Sequence, residues 1–379
     1  MNAAPADPDP YDDFTRRIRE LRRSMAGAGI DALVVLSPSN IEYLTGIDLV
    51  DFQPMETSQG IGKLVYIDRD QAEFIYYAVT SPGIMNTVTW MDHVVYDEPE
   101  DPASVVARRI SGDVRALGIE GTFLPHNLSR RLDGALPSVE LVDATRLVYE
   151  QRMVKSDEEV NRSRRSARIA DLAMVDILPG IYGMREVDVA SAAMESMLGH
   201  GAHNVAYSPI VSSGERFGGI TYGATERRIG RGDSVMIDLG AKYKGYRSDF
   251  TRTSHFGPAP AALRRVRRGM LEARKAALEV MRAGVTFGLM DRTIRDVLQD
   301  NGVDPVHLIH ASHGIGIEVV EMPWLADQTP DVVLQPNVVM TLELIMGVPG
   351  VGAYTIEDVL VIKEDGAEVF TECPVPPYE

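Results

Sequence analysis

An α/β chain of two domains is the fold class that the sequence predicts, and three observations carry it. At 379 residues the chain is longer than one core usually organises. Residues 12–153 alternate short apolar runs with helical patterns, as a small α/β domain does. From residue 154 the pattern changes to long helices followed by apolar strands interrupted by acids, which sets apart a second domain over residues 154–379.

Residues 1–11, rich in Ala, Pro and Asp, are expected to form a disordered tail. Phe14, Ile18, Leu21 and Met25 recur at helical spacing, and Gly27 and Gly29 end that helix. A short buried strand over residues 32–36 follows, then a turn at Pro38-Ser39-Asn40. Apolar runs at 64–67 and 72–77, a helix over 103–117 and a strand at 140–142 complete the first domain. In the second, Ser156-Asp157-Glu158-Glu159 is a helix start with acids at the positive end of the dipole. That helix runs through Ile169, Leu172 and Val175 towards Pro179-Gly180, and another covers 186–198. Strands are expected at 209–213 and 234–239. A hairpin turn at 241–245 returns as one strand over 246–254. Helices over 261–281 and 289–301 precede strands at 338–344 and 354–362.

The net charge of −17 argues against nucleic acid as a partner, since a phosphate-gripping surface is basic. The single cysteine, Cys373, cannot form an intrachain disulfide, which fits a reducing, cytoplasmic location. No secretory pattern opens the sequence, and no apolar run approaches the length of a membrane span.

The chemistry lies in acids placed inside apolar strands. Met236-Ile237-Asp238-Leu239-Gly240 holds one, and Ser248-Asp249-Phe250 places another eleven residues on. Read alone, the pair is equally consistent with a turn-capping Asp and a surface Asp. Thr341-Leu342-Glu343-Leu344 and Thr355-Ile356-Glu357-Asp358 repeat the pattern, fourteen residues apart. His313, in His310-Ala311-Ser312-His313-Gly314-Ile315-Gly316, precedes a Gly-x-Gly that lets backbone approach a ligand closely. A buried carboxylate is costly unless it is paired or binds a cation. Two divalent cations account for four acids and a neutral imidazole together. Oxygen-rich ligation with one nitrogen suits manganese, cobalt, iron or zinc.

The spacing Asp-x10-Asp, His313, Glu343 and Glu357 resembles that of the pita-bread metallopeptidases, the family of prolidase, the proline and methionine aminopeptidases and metal-free creatinase. The segment ending Pro38-Ser39-Asn40-Ile41-Glu42-Tyr43-Leu44-Thr45-Gly46 resembles the N-terminal domain of the creatinase/prolidase branch, and Arg152-Met153-Val154-Lys155-Ser156 its boundary. The resemblance implies a creatinase-like N-terminal domain and a pita-bread catalytic domain. It implies that Asp238 binds one ion, that His313 and Glu343 bind the other, and that Asp249 and Glu357 bridge them. It also implies that Glu343 is general base and acid, that the substrate is a short peptide of Xaa-Pro type, and that the protein is a homodimer.

The sequence departs from the family in its substrate-holding residues. Prolidase-like enzymes carry histidines where this chain has Thr221 and Val320, an arginine where it has Trp324, and a glycine where it has Ser312. Tyr222, His203 and His310 are the candidate replacement donors. Trp324 is a candidate wall for an apolar or cationic substrate, or a packing residue. Glu321, where the family keeps a glutamate, is expected to support the ligands. Two other readings stay open: a hydrolase or lyase repurposed for a small non-peptide substrate, and a non-catalytic binding protein.

Overall fold

The computed structural model describes residues 10–48, 63–77, 90–96, 101–217, 223–310, 312–324, 329–348 and 351–378. The chain divides into two compact units, Met1–Arg152 and Met153–Glu379. No helix among the described residues is long and apolar enough to cross a membrane.

The first unit contains α1 (Pro10–Gly27), β1 (Ala32–Val35), α2 (Pro38–Thr45), β2 (Lys63–Asp68), β3 (Ala72–Tyr77), β4 (Asp92–Tyr96), α3 (Pro102–Ala107), β5 (Ala116–Ile119), α4 (His126–Ala135), β6 (Glu140–Asp143) and α5 (Thr145–Met153). Its strands form one mixed sheet in the order β4-β3-β2-β1-β5-β6. Val34, Tyr66, Ile75 and Leu117 pack under α3 and α4 through Val105, Leu128 and Leu132. The expected tail lies outside the described residues up to residue 9, but Pro10 and Tyr11 already belong to α1, since proline is tolerated in a first helical turn. Pro38-Ser39-Asn40 is not a turn but the start of α2. Ser37 accepts from Asn40 N, and Gly46, at φ 74°, closes the helix. The helix expected over 103–117 is only α3, capped by Asp101, and β5 begins at Ala116. The helix ends at Ala107, and the turn-formers Ser111, Gly112 and Asp113 keep it from resuming before β5.

The second unit contains α6 (Asp157–Ile177), α7 (Glu186–Gly199), β7 (Asn204–Val205), β8 (Ile210–Ser213), β9 (Ser234–Leu239), β10 (Ala241–Tyr243), β11 (Tyr246–Arg247), β12 (Phe250–His255), α8 (Ala261–Val280), α9 (Phe287–Asp300), β13 (Leu308–His310), β14 (Val339–Val348), β15 (Gly352–Ile362) and β16 (Ala367–Val369). A capping box starts α6: Ser156 Oγ accepts from Glu159 N, and the Glu159 carboxylate accepts from Ser156 N at 2.8 Å. The apolar faces of α6 and α7, with Ile169, Met174, Val189 and Met197, cover Val211, Val235, Ile237 and Phe250 of β8, β9 and β12.

The strands of this unit form three sheets among the described residues, ordered β11-β10-β7, β12-β9-β8 and β13-β14-β15-β16. The single return strand expected over 246–254 is therefore two strands. β11 pairs with β10, whereas β12 pairs with β9 and sets Thr251 opposite Asp238. Ser248 makes the break by accepting a hydrogen bond from Ala241 N through its side chain at 3.0 Å.

Candidate metal centre

The strand registers bring the interrupting acids together. Asp238 lies in β9, and Asp249 lies between β11 and β12. Glu343 of β14 and Glu357 of β15 are direct cross-strand partners. Two like charges so placed repel unless something positive lies between them. His313 comes from the segment before β14. Its carbonyl accepts from Thr341 N at 2.8 Å, and Gly314 bridges to both Met340 and Glu321. A Cβ on Gly314 would stand 2.2 Å from Met322 O, so this close passage of backbone needs glycine.

His313 Nδ1 lies 3.0 Å from Gly314 O. A carbonyl only accepts, so Nδ1 carries a proton and Nε2 is the nitrogen that a cation could take. That Nε2 faces Asp249 Oδ2 at 3.7 Å and Glu343 Oε2 and Glu357 Oε1 at 3.9 Å each. Asp249, His313 and Glu357 each offer a ligand atom within 4.8 Å of the others.

Side chains join the sheets that carry these residues. Thr251 Oγ1 donates to Glu357 Oε2 at 3.0 Å, and Thr253 Oγ1 donates to Thr355 O at 2.8 Å. The buried Arg252 guanidinium donates to Glu357 O at 2.7 Å and pairs with Asp358 Oδ1 at 2.8 Å. Arg274 holds the other oxygen of Asp358.

The electrostatics mark a place short of positive charge. Desolvation, then the neighbouring Asp249 charge, pushes the Asp238 carboxyl well above the usual carboxylate range. Desolvation also raises Asp249, against the pull of His313. Glu357 is pushed well up by burial and by the Asp249 and Glu343 charges. Its Oε1 is buried and has no hydrogen-bond partner among the described residues. An orphaned carboxylate oxygen facing an imidazole nitrogen and a second carboxylate is a donor set that fits a divalent cation.

Tyr207 is a member of this cluster that reading the sequence missed. Its hydroxyl lies within hydrogen-bond reach of Asp238 Oδ1 and Asp249 Oδ1 and donates to either one. Burial and those two charges push its own pKa well above the ordinary phenol value. Tyr207 sits in an irregular stretch between β7 and β8, where no periodicity marks it. Glu321 is buried and paired with Lys155 at 2.7 Å, and it packs against Gly316, two residues beyond Gly314.

The candidate substrate residues are more scattered. His203 is exposed; its Nδ1 accepts from Lys244 N at 3.4 Å, beside the β10–β11 turn. His310 pairs with Ile345 at the edge of the last sheet. Val320 is 47% exposed, and Trp324 is half-buried with its carbonyl accepting from Thr329. Thr221 and Tyr222 lie outside the described residues. A cavity of about 980 Å³ opens at the other end of the same strands, lined by Ser234, His255 and Gly352 among others. Ser234 is four residues from Asp238, roughly 13 Å along β9, and Phe217, Met236 and Ala353 pack together as an apolar cluster there.

Comparison with known proteins identifies the family. The family described as Metallopeptidase family M24 matches residues 161–364, and the Creatinase/Prolidase N-terminal domain matches residues 17–154. The chain is similar to an Xaa-Pro dipeptidase of Pyrococcus furiosus, 28% identical over 358 residues that span 94% of this chain and 97% of that one. It is 31% identical to an Xaa-Pro dipeptidase of Pyrococcus horikoshii over 261 residues, 68% of this chain and 74% of that one. Among solved structures, an Xaa-Pro dipeptidase from Bacillus anthracis superposes with a TM-score of 0.85 at 28% identity, over 96% of this chain and 100% of that one. With the family pattern running through both units, the chain belongs to metallopeptidase family M24, in its creatinase/prolidase branch of metal-dependent hydrolases.

Proposed function

We propose that this enzyme hydrolyses short Xaa-Pro peptides with two divalent cations (manganese, cobalt, iron or zinc) held by Asp238, Asp249, His313, Glu343 and Glu357. The observation that carries the reading is the meeting of Asp249, His313 and Glu357 within 4.8 Å around a buried carboxylate oxygen that no described group satisfies. The relatives named Xaa-Pro dipeptidase support the substrate class. In this reading Asp238 would serve one ion, His313 and Glu343 the other, and Asp249 and Glu357 would serve both.

When bound, the cations supply Lewis acidity, activating water and polarising the scissile carbonyl. The chain's own residues supply orientation and proton movement. Thr251 and Arg252 hold Glu357 from its side-chain and backbone oxygens, so this glutamate is a fixed ligand. Glu343 is its cross-strand partner, and its side chain is 13% exposed where that of Glu357 is 1% exposed. That access suits Glu343 to take a proton from water and pass it to the leaving nitrogen.

The test is turnover of Xaa-Pro dipeptides and short Xaa-Pro peptides by protein whose metal content is counted after manganese or cobalt loading, with Glu343→Ala as control. Turnover that disappears in the control supports the assignment. Two metals bound per chain without turnover of any proline peptide would overturn the substrate class and direct the search to small non-peptide molecules. Undiminished turnover in Glu343→Ala would overturn the role of Glu343.

A further inference from the structure

We infer that Tyr207 is a positioning residue of this centre, whose hydroxyl ties Asp238 to Asp249 and fixes the orientation in which the two carboxylates bind a cation. The inference rests on the metal-centre reading proposed above.

The backbone explains how Tyr207 reaches this place. Ala206 N donates to Gly240 O at 2.7 Å, which draws the chain before β8 against the end of β9. A Cβ on Gly240 would stand 2.0 Å from Ser248 O and 2.9 Å from Ala206 Cβ. The segment carrying Tyr207 and the segment carrying Asp249 therefore both press on one glycine, two residues beyond Asp238. Only the missing side chain lets all three groups meet.

The hydroxyl then acts on both acids. It has one proton and two carboxylate acceptors, Asp238 Oδ1 and Asp249 Oδ1. It donates to one at a time, but both oxygens stay within hydrogen-bond range of a single atom, so they lie no more than about 6 Å apart. Each acid's remaining oxygen is directed by that tether. For Asp249 the effect is visible: Oδ1 faces Tyr207, and Oδ2 faces His313 Nε2 at 3.7 Å. Without the tether the two acids are free to take other side-chain rotamers in the metal-free protein, and binding must then select the paired arrangement. A hydrogen-bond partner of a ligand typically contributes about 10–100-fold in metal affinity.

The experiment is manganese titration by calorimetry on metal-free wild-type protein and Tyr207→Phe, with thermal melting of both in chelator. The expected result is melting close to wild type and manganese affinity about 10–100-fold weaker. The deficit in kcat/KM should shrink as manganese is raised, which a purely structural role would not show. Equal affinity in the variant overturns the inference alone, and so does tighter binding, because the hydroxyl would then be an obstruction. Wild-type protein that takes up no manganese overturns the metal centre and the inference together. Asp238→Asn supplies a second background. There Tyr207→Phe should cost less affinity than in wild type, and an undiminished cost overturns the tether between the two residues.

Discussion

Arg252→Met tests the buried joint behind the candidate centre. Methionine keeps much of the arginine volume and removes its charge and donors. Arg252 is 2% exposed and donates to Glu357 O at 2.7 Å, Thr251 O at 3.1 Å, Asp358 Oδ1 at 2.8 Å and Cys373 O at 3.0 and 3.2 Å. Breaking one partner from a buried ion pair costs about 3–5 kcal/mol. Asp358 keeps Arg274 at 2.5 Å and Thr371 at 2.8 Å, which lowers that figure. Cys373 O loses the donors it takes from Arg252, and a buried acceptor left unsatisfied costs about 1–3 kcal/mol, which raises it again. A net loss of about 3–5 kcal/mol remains, and at about 2–4 °C per kcal/mol for a unit of this size the melting temperature should fall by about 6–20 °C.

The pH dependence has a definite sign. Burial raises the Asp358 carboxyl, but Arg252 and Arg274 outweigh it and hold the folded-state pKa below its ordinary 3.8. A depressed acid contributes stability above its unfolded value and loses it as the pH falls through its folded value. The gap between wild type and Arg252→Met should therefore narrow as the pH falls below 3.8. Calorimetric melting across that range is the assay. A fall of less than about 2 °C at neutral pH, or a gap that stays constant into acid, refutes the reasoning.

Two further outcomes follow from the same geometry. Gly240→Ala places a Cβ 2.0 Å from Ser248 O, so backbone must move. A loss of about 1–3 kcal/mol is expected together with weaker manganese binding, and manganese affinity at the wild-type level in that variant would show that the approach does not position Asp249. Removing metal should destabilise the protein at neutral pH. A cation at a hundred times its Kd contributes about 2.7 kcal/mol, and melting with and without chelator measures it. Asp238, Asp249 and Glu357 have raised pKa values in the fold, so the metal-free protein should lose stability as the pH rises above their ordinary 3.8 and 4.5, while the loaded protein should not.

Asp238, Glu343 and Glu357 stood out in the sequence because each interrupts an apolar strand, and a charge in such a run needs a reason that a single sequence can pose; Asp249, between β11 and β12, stood out only by its spacing from Asp238. The helix start at Ser156 and the strand at Ser234–Leu239 were legible from local residue types alone. What was lost depends on contacts between distant segments. Tyr207 stands in a stretch with no period, and its hydroxyl acquires a role only when Gly240 brings Asp249 beside it. The break of the 246–254 strand at Ser248 depends on a side-chain hydrogen bond to Ala241 that no apolar pattern signals. The early misreadings at Pro38 and over 103–117 arose where helix-starting and turn-forming residues are the same types, Pro, Ser, Asn and Asp, and only the following residues decide.

The acids come from two separately hydrogen-bonded sheets, Asp238 with Asp249 beside β9 and β12, and Glu343 with Glu357 on β14 and β15. A cation shared by Asp249 and Glu357 would act as a cross-link over that seam, adding to the fastening by Thr251, Arg252 and Thr253. Amide exchange along β12 and β15 would then slow with metal occupancy, and the metal supply would govern how firmly the catalytic unit stays shut as well as how many molecules are active.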